Sequence, residues 1–432
     1  MPRRSPFPEL AIRGGEVVDA TGRRRADVLV RDGVIAEVGP SVAPSSGATV
    51  LDASGCIVGP GLVDLHTHLR EPGQEEAETV ETGSRAAALG GYTAVVAMPN
   101  TDPPIDNAAV ARHVLELGRT ALCQVAVAGA ITVGRAGTQL APLAEMAELG
   151  VRLFTDDGSG VQDARLMRRA LEYATALGVT LAEHCEDAAL AAGGHMHEGE
   201  WSAKLGIPGI PAEAEELMVM RDLALSRLTG APLHLLHLST AGSLRLLREA
   251  RAGGQPVTAE VAPHHFTLTA AEVAGYDPVF KVNPPLRDDA DVAAVRAALA
   301  DGTVDAIATD HAPHPQEDKE APFDQAPSGM LGLETALALS LTELELPVER
   351  ILALLSWQPA RIAGLGEHGG PVAPGRPANL TVIDLAERWT VQPERLASRA
   401  RNTPYAGRTL VGRARHTVLR GEVVVVGGEA QR

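Results

Sequence analysis

GLVDLHTH, residues 61–68, is the segment from which the fold of this chain is best predicted. Its apolar run is typical of a buried strand, and the run ends in His66 and His68. Side chains two residues apart on a strand point the same way, so both imidazoles can bind one ion. A single His-X-His pair is a weak signal, and its value depends on what the other strands end in.

Outward from this stretch, short apolar runs alternate with amphipathic segments. Candidate strands cover residues 57–66, 92–98, 122–130, 151–155, 179–184, 232–238, 256–261 and 304–309. Helical patterns cover residues 75–89, 141–149, 164–176, 212–228 and 288–299. This alternation predicts an α/β fold, a (β/α)8 TIM-like barrel with its active site at the carboxyl ends of the strands. An open doubly wound sheet is the alternative, but no glycine-rich phosphate loop follows the first strand.

The two ends of the chain have a different character. Residues 10–51, 378–384 and 413–426 read as short strands separated by turns. We therefore expect both ends to pair into a small β-sandwich domain beside the barrel. The predicted division is 1–58 and 366–432 for the β domain and 59–365 for the barrel.

Composition excludes several classes of protein. With 432 residues, of which 45% are hydrophobic, the chain can bury a large core. A net charge of −17 argues against nucleic-acid binding. No apolar run follows Arg3 and Arg4 or reaches the length of a membrane span. The three cysteines, an odd number spaced far apart, indicate a reducing compartment, so we expect a cytoplasmic protein.

The other strand ends carry residues of the same chemistry as the first. They are Asp156 and Asp157 on strand four, His184 on strand five, His237 on strand six and Asp310 on strand eight. Imidazoles mixed with carboxylates suit zinc, with manganese, cobalt or iron as alternatives. Each residue alone could cap a helix or bond a loop, but ligand types at five strand ends predict a metal site.

The remaining histidines are weaker candidates. His234 lies three positions before His237 and therefore faces the other side of the strand, which predicts a structural role. His195 and His197 lie in a loop rich in glycine and glutamate and are expected to be a solvated pair. His113 is expected to be exposed on a helix. The adjacent pair His264 and His265 could be structural or could contact the ligands.

The expected chemistry is metal-assisted hydrolysis. A metal pair lowers the pKa of a bound water and polarises the carbonyl under attack. Asp310 is the candidate that accepts the proton of the water and passes it to the leaving nitrogen. Two cations also need an anionic bridge. No lysine stands at a ligand-bearing strand end, so an aspartate of strand four bridges them or the site holds one metal.

Four polar residues in the neighbouring loops are suited to bind an anionic substrate. Arg70 can form a two-pronged contact with a carboxylate. Asn100, Asn283 and His314 supply further donors and acceptors at other strand ends. A surface salt bridge for Arg70, and turns before proline for the asparagines, are the alternatives.

Together these blocks resemble the dihydroorotase family of the cyclic amidohydrolases over nearly the whole chain. The resemblance rests on DLHTHLREPG at 64–73, AMPNT at 97–101, FTDDG at 154–158, EHCED at 183–187 and TDHAPH at 309–314. It implies reversible closure of N-carbamoyl-L-aspartate to L-dihydroorotate in pyrimidine synthesis.

The resemblance also implies roles for individual residues. His66, His68 and Asp310 would hold one zinc, His184 and His237 a second, and Asp157 would bridge them. Asp156 is the fallback for the bridge, because periodicity cannot choose between adjacent carboxylates. Arg70, Asn100, Asn283 and His314 would hold the substrate, with Ser328 and Gly329 bordering it. Ser328 departs from the phenylalanine usual in the family, which leaves the packing there open.

Two other functions compete with this interpretation. Allantoinase or hydantoinase activity would use similar metals, but those enzymes rely on a bridging lysine that is missing here, and Arg70 suits a ring carboxylate. A non-catalytic structural partner of aspartate transcarbamoylase would be expected to lose ligands, whereas this chain keeps every candidate. We expect a homodimer, and association with aspartate transcarbamoylase is compatible with activity.

Overall fold

The computed structural model describes residues 9–432, and the first part of the chain forms short strands. They are β1 (Glu9–Arg13), β2 (Glu16–Asp19), β3 (Gly22–Arg25), β4 (Asp27–Arg31), β5 (Val34–Gly39), β6 (Thr49–Asp52) and β7 (Ile57–Pro60). One four-stranded sheet has the order β5-β4-β1-β6. The predictions for Arg3 and Arg4, and for the rest of residues 1–8, lie outside the described residues.

The middle of the chain supplies the parallel strands. They are β8 (Leu62–Thr67), β9 (Tyr92–Ala97), β10 (Gln124–Val127), β11 (Leu153–Phe154), β12 (Thr180–Glu183), β13 (Met196–His197), β14 (Gly209–Ile210), β15 (Leu233–Leu235), β16 (Val257–Val261) and β17 (Ala306–Ile307). Two parallel sheets have the orders β10-β9-β8 and β11-β12-β15-β16-β17, while β13 and β14 form a separate pair. Parallel bridges from Gly129 to Phe154 and from Thr67 to His311 link the edges of the two sheets.

Helices separate most of these strands, so the fold class is α/β. They are α1 (Val80–Leu89), α2 (Ala108–Leu117), α3 (Leu143–Glu148), α4 (Ala164–Leu177), α5 (Ala188–Ala191), α6 (Glu200–Leu205), α7 (Glu213–Thr229), α8 (Ala241–Ala252), α9 (Pro263–Thr267), α10 (Asp289–Asp301), α11 (Gln316–Lys319), α12 (Ala336–Glu343), α13 (Val348–Leu352) and α14 (Gln358–Ile362). Short 3-10 segments cover Gly118–Thr120, Val133–Arg135, Ala270–Gly275, Pro278–Phe280 and Pro393–Arg395, and Ala353–Trp357 is a π-helical turn.

The end of the chain returns to the strands at its beginning. The last strands are β18 (Leu380–Thr390), β19 (Thr409–Leu419), β20 (Glu422–Val426) and β21 (Glu429–Ala430). They complete a seven-stranded sheet in the order β21-β20-β19-β18-β7-β2-β3. Within it β18 runs antiparallel to β7, with Leu380 opposite Pro60. The pairing of the two chain ends is as the sequence predicts.

The first predicted strand, residues 57–66, is wrong as a single element. Its first half is β7 of the seven-stranded sheet, and its second half is β8 of a parallel sheet. The division falls at Gly61, whose amide donates to the carbonyl of Asn379 at 2.9 Å. A Cβ at Gly61 would lie only 2.1 Å from Cγ2 of Thr93, so the close crossing requires glycine.

The first predicted helix, residues 75–89, begins in the structure at Val80, five residues later than predicted. The side chain of Thr79 accepts from the backbone of Thr82, which fixes the start of α1 at Val80. The other predicted helices agree with the structure to within two residues. Helix α4, for example, is capped by Asp163 and ends at Gly178, where φ is 66°.

An apolar cluster lies between the parallel strands and supports the site above it. It comprises Leu65, Val96, Met98, Ala128, Leu153, Ala182, Leu236, Ala306, Ala308 and Ala363. Ala306 and Ala308, two small residues of this cluster, precede Asp310 on the chain. Within residues 9–432, none of the helices has the length and apolar character needed to cross a membrane.

Candidate metal centre

The side chains predicted to bind metal meet at one end of the parallel strands, and all of them are buried. They are His66 and His68 at the end of β8, Asp157 after β11, His184 after β12, His237 after β15 and Asp310 after β17. Two groups can each hold an ion, His66 with His68 and Asp157, and Asp157 with His184 and His237. In both groups the ligand atoms lie within 4.8 Å of one another.

Asp157 lies at the centre of the cluster. Its Oδ1 is 3.4 Å from Nε2 of His66 and 3.5 Å from Nε2 of His237. The same oxygen is 3.7 Å from Nδ1 of His184, and Oδ2 is 3.6 Å from Nε2 of His68. Burial alone would raise the pKa of this carboxyl, but the surrounding imidazoles lower it well below its ordinary value. One carboxylate thus faces both histidine pairs.

Asp310 closes the cluster on the side of the first histidine pair. Its Oδ1 lies 3.3 Å from Nε2 of His68 and 3.6 Å from Nε2 of His66. Burial opposes ionisation of Asp310, yet the imidazoles hold its pKa below its ordinary value. Backbone strain accompanies this placement, because φ is 46° at Asp310 and 28° at His237. Non-glycine residues adopt such angles at a cost, and they concentrate at functional sites.

Within residues 9–432, two ring nitrogens of the cluster lack a hydrogen-bond partner, which is the arrangement expected of a metal site. Nε2 of His66 and Nδ1 of His237 are buried with no hydrogen-bond partner among the described residues. The other ring nitrogen of His66 lies 3.0 Å from Glu260, and that of His68 lies 2.9 Å from Oδ1 of Asn100. Carboxylate and amide oxygens of this kind fix the tautomer of a ligating imidazole. Unpaired nitrogens and mixed N/O donors suit zinc.

The adjacent carboxylate of Asp156 is committed elsewhere. Its Oδ1 accepts from the amides of Ile131 at 2.8 Å and Thr132 at 3.0 Å, and its Oδ2 accepts from the hydroxyl of Thr132. These bonds tie the loop after β10 to the end of β11. The geometry therefore favours Asp157 over Asp156 as the bridging ligand.

A cavity of about 250 Å³ opens above the cluster. The predicted ligands that line it are His68, Asp157, His184, His237 and Asp310, and the predicted substrate residues that line it are Arg70, Asn100, Asn283, His314, Ser328 and Gly329. Every predicted substrate residue thus borders the space next to the metal ligands.

Arg70 is a buried residue rather than a surface ion-pair partner. It is 8% exposed, and its Nε donates to the carbonyl of Pro313 at 3.1 Å. One terminal nitrogen of Arg70 lies 3.3 Å from Nε2 of His314. The same ring nitrogen of His314 lies 2.8 Å from the carbonyl oxygen of Ser328. Burial lowers the pKa of Arg70 to about 10, so the guanidinium stays charged at neutral pH. A buried cation beside the centre is suited to an anionic substrate.

The two asparagines make different contacts. The side-chain oxygen of Asn100 accepts a hydrogen bond from Nδ1 of His68 and so orients this predicted metal ligand. Nδ2 of Asn283 lies 3.5 Å from Nε2 of His184 and 3.3 Å from Glu186. Oδ1 of Asn283 is buried without a partner among the described residues, which leaves an acceptor for a bound molecule.

Sequence reasoning was right about some of the other histidines and wrong about one. His113 is exposed, and His234 is buried between Thr258 and Glu260, as predicted. His197 is not solvated: it is 8% exposed, and its Nδ1 lies 3.1 Å from Arg287. The loop folds back through the β13–β14 pair, a long-range contact that loop composition does not reveal.

Glu260 is a functional candidate that sequence reasoning missed. It lies in β16, is fully buried, and contacts both His66 and His234 at 3.0 Å. Those histidines lower its pKa to about 2, although burial raises it. The signal was a lone glutamate in an otherwise apolar strand, VTAEV.

Comparison with known proteins agrees with this geometry. A family model described as Dihydro-orotase-like matches residues 55–243. A dihydroorotase of Pelotomaculum thermopropionicum is 51% identical over 424 residues, covering 96% of this chain and 98% of that protein. A dihydroorotase of Streptomyces coelicolor is 49% identical, covering 97% of this chain and 98% of that protein. The chain belongs to the dihydroorotase family.

The solved structures that resemble this chain include two hydantoinases. An L-hydantoinase (dihydropyrimidinase) from Arthrobacter aurescens has a TM-score of 0.88 at 26% identity, covering 99% of this chain and 98% of that one. A D-hydantoinase (dihydropyrimidinase) from Thermus sp. has a TM-score of 0.84 at 26% identity, covering 98% and 96%. The α/β fold is thus shared with enzymes named for cyclic amides.

Proposed function

We propose that this protein is a zinc-dependent dihydroorotase that interconverts N-carbamoyl-L-aspartate and L-dihydroorotate plus water. The observation that carries the proposal is one cavity that contains Asp157 among four imidazoles, the Asp310 carboxylate and the buried Arg70 guanidinium. This chain is about half identical in sequence to curated dihydroorotases, and that similarity supports the choice of substrate.

In this proposal His66, His68 and Asp310 would hold one zinc and His184 and His237 would hold the second, with Asp157 available to both. Bound zinc supplies polarisation of the amide carbonyl and a lower pKa for water. Glu260 and Asn100 keep the imidazoles of His66 and His68 turned toward the centre.

Asp310 is the proposed general base and acid. Its lowered pKa keeps it ionised at neutral pH, so it can accept a proton from the attacking water. It then returns that proton to the amide nitrogen as the ring C–N bond breaks, and it ends the turnover as it began. Ring closure follows the same path in reverse.

The ring carboxylate is proposed to bind against Arg70, with Asn100, Asn283 and His314 as further polar contacts. Ser328 and Gly329 border this position. Gly329 has φ of 146°, and a Cβ there would lie 2.8 Å from Nε2 of His314. A side chain at this position would therefore displace the histidine that contacts Arg70.

The architecture proposed to carry this site is a closed (β/α)8 barrel. Bridges at both edges link the two parallel sheets, and the apolar cluster between the strands draws residues from both sheets. The β-sandwich at 1–58 and 366–432 and the barrel at 59–365 remain the proposed domains.

We also propose a cytoplasmic homodimer that can associate with aspartate transcarbamoylase. The three cysteines, all free and buried, support a reducing compartment. Size-exclusion chromatography with light scattering tests the dimer, and mixing with aspartate transcarbamoylase tests the association.

The alternative is a hydantoinase or allantoinase, which the hydantoinase-like fold favours. A decisive experiment compares dihydroorotate, hydantoin and allantoin by absorbance with purified, zinc-loaded protein. We expect turnover of dihydroorotate, its reversal with carbamoyl aspartate, and loss of both after chelation. Turnover of allantoin or hydantoin without dihydroorotate would overturn the proposed substrate, and inactivity toward all three would favour the non-catalytic alternative.

A further inference from the structure

Lys319, at the end of α11, makes an unusual set of contacts. Its Nζ donates to the backbone carbonyls of Pro327 at 2.7 Å, Pro278 at 3.0 Å and Lys281 at 3.2 Å. An ammonium group has three donors, so these carbonyls use all of them. Within residues 9–432, the structure gives Lys319 no carboxylate within ion-pair distance. Its partners are therefore backbone groups alone.

These carbonyls belong to two separate walls of the cavity. Pro278 and Lys281 lead directly to Asn283, and Pro327 leads to Ser328 and Gly329. The carbonyl of Lys281 also accepts from the amide of Gly329 at 2.9 Å. Lys319 thus joins the two walls at the point where they meet.

The contacts continue from this junction to the buried cation. The carbonyl of Ser328 lies 2.8 Å from Nε2 of His314, and the same nitrogen lies 3.3 Å from Arg70. A shift of the segment containing Ser328 would therefore move His314 against Arg70. Nε2 of His314 donates to the carbonyl of Ser328, and this hydrogen bond has narrow geometric limits. Because the nitrogen then carries the proton, its contact with Arg70 is a packing contact rather than a second hydrogen bond.

The arrangement is costly to keep, which argues that it has a use. Burial and the nearby cations of Lys281 and Arg70 together lower the pKa of Lys319 to about 7, although Asp277 opposes them. A lysine whose only task was to cover the surface would extend its charge into water. Here the charge is held against the carbonyls of two loops that border the pocket.

We propose that Lys319 is a positioning residue that clamps the two walls of the cavity and so sets the place of His314 and Arg70 for an anionic substrate. This inference rests on the proposed function, since it assumes that Arg70 binds the ring carboxylate. Lys319 itself touches neither the substrate nor the metal ligands.

The test compares K319M with K204M in the zinc-loaded enzyme. Lys204 is exposed and pairs with Glu200, so its replacement is a matched control that should leave the kinetics unchanged. For K319M we expect KM for dihydroorotate to rise about tenfold, the scale of one or two lost hydrogen bonds. We expect zinc content to stay native and kcat to change much less than KM.

Rescue separates a positional role from general damage. In K319C, alkylation with 2-bromoethylamine forms a C–S bond at the thiolate and releases bromide, which leaves a side chain that ends in an amine like lysine. The native cysteines are buried, and treated wild-type protein is the control. We expect KM to be raised in untreated K319C and to return most of the way to the wild-type value after alkylation.

A second measurement does not depend on catalysis. Cleavage by a glutamate-specific protease after Glu317 or Glu320 should be faster in K319M than in wild type or K204M, because the walls are no longer joined. The clamp would be overturned if K319M had the wild-type KM and the wild-type rate of cleavage. It would also be overturned if K319M lost zinc and kcat to the same degree. An inactive wild-type enzyme would instead refute the proposed function, while the cleavage result would still decide whether Lys319 holds the two walls together.

Discussion

Two buried polar regions lie close together in this protein and are built in opposite ways. Around Glu78, each carboxylate oxygen has its donors: Thr82 and the amide of Arg399 on one, Ser398 and His311 on the other. Around Asp157, no imidazole nitrogen comes nearer than 3.4 Å to either oxygen of that carboxylate. The first region is a completed hydrogen-bond network. In the second, His184 and His237 are 3.0 Å apart, but within residues 9–432 the central carboxylate has no such close partner.

This contrast distinguishes a structural polar core from a ligand-binding site. Buried polar groups are normally paired, because an unpaired one costs free energy. The centre keeps Nε2 of His66 and Nδ1 of His237 unpaired among the described residues, and it places carboxylates where they attract positive charge. That attraction raises the pKa of His66 well above its ordinary value despite burial. A metal cation would satisfy Nε2 of His66, which faces the carboxylates of Asp157 and Asp310.

The largest effect should come from Asp157→Asn. The neutral amide removes the charge between the histidine pairs, so we expect loss of at least one zinc. Turnover should fall by roughly three orders of magnitude or more, because metal-ion catalysis lowers barriers by several kcal/mol. Zinc content by elemental analysis and kcat for dihydroorotate measure the two effects.

Asp156→Asn is the matched control, one residue away and with the same change in charge. Asp156 is tied to Ile131 and Thr132, so we expect this variant to keep its zinc and lose stability instead. If D156N lost zinc while D157N kept it, the bridge would belong to Asp156.

The next largest effect should come from Asp310→Asn. The amide can still coordinate through its oxygen, and His66, His68 and Asp157 remain, so zinc should be retained. Without a carboxylate to move the proton, kcat should fall by about 10²–10⁴-fold, the usual contribution of general acid–base catalysis. The measurement is kcat together with zinc content in the same preparation. Near-normal turnover would assign the proton transfer to another group.

Much of the centre could be predicted because strand-end chemistry is local in sequence. Periodicity along the strand places His66 with His68. It also predicts that His234 faces away from the centre, but His234 is linked to His66 through the carboxylate of Glu260. Periodicity could not separate Asp156 from Asp157. That choice depends on a loop some 25 residues away, whose amides bind Asp156.

The errors have the same origin in long-range contacts. The predicted strand at residues 57–66 divides at Gly61, because its first half pairs with β18 from the end of the chain. The amide of Gly61 itself donates to Asn379. His197 is buried because Arg287 reaches it from far along the sequence. Glu260 went unnoticed because its partner His66 lies 194 residues away. Local patterns indicate which faces are apolar, but they do not indicate which polar groups meet.

The smallest of these effects, and the one that tests the closed region, is expected for Glu78→Gln. The new amide nitrogen would face Ser398 and the N–H of His311, or Thr82 and the N–H of Arg399. The N–H groups cannot accept from it, and either hydroxyl would have to rotate out of its present hydrogen bond to do so. We expect the free energy of unfolding to fall by about 1–3 kcal/mol, the cost of an unsatisfied buried donor. Zinc content should stay native, and turnover should change less than in either centre variant.

Acid should narrow the stability difference between wild type and E78Q. Burial raises the pKa of Glu78, but hydrogen bonds from His311, Ser398 and Thr82 outweigh burial and lower it below its ordinary 4.5. The ionised carboxylate therefore stabilises the fold above pH 4.5, and this contribution is lost as pH falls through the lower folded-state pKa. Glutamine does not titrate, so denaturant unfolding of both proteins from pH 7 downward should show the gap closing. A gap that stayed constant would mean that the Glu78 network stabilises by shape rather than charge.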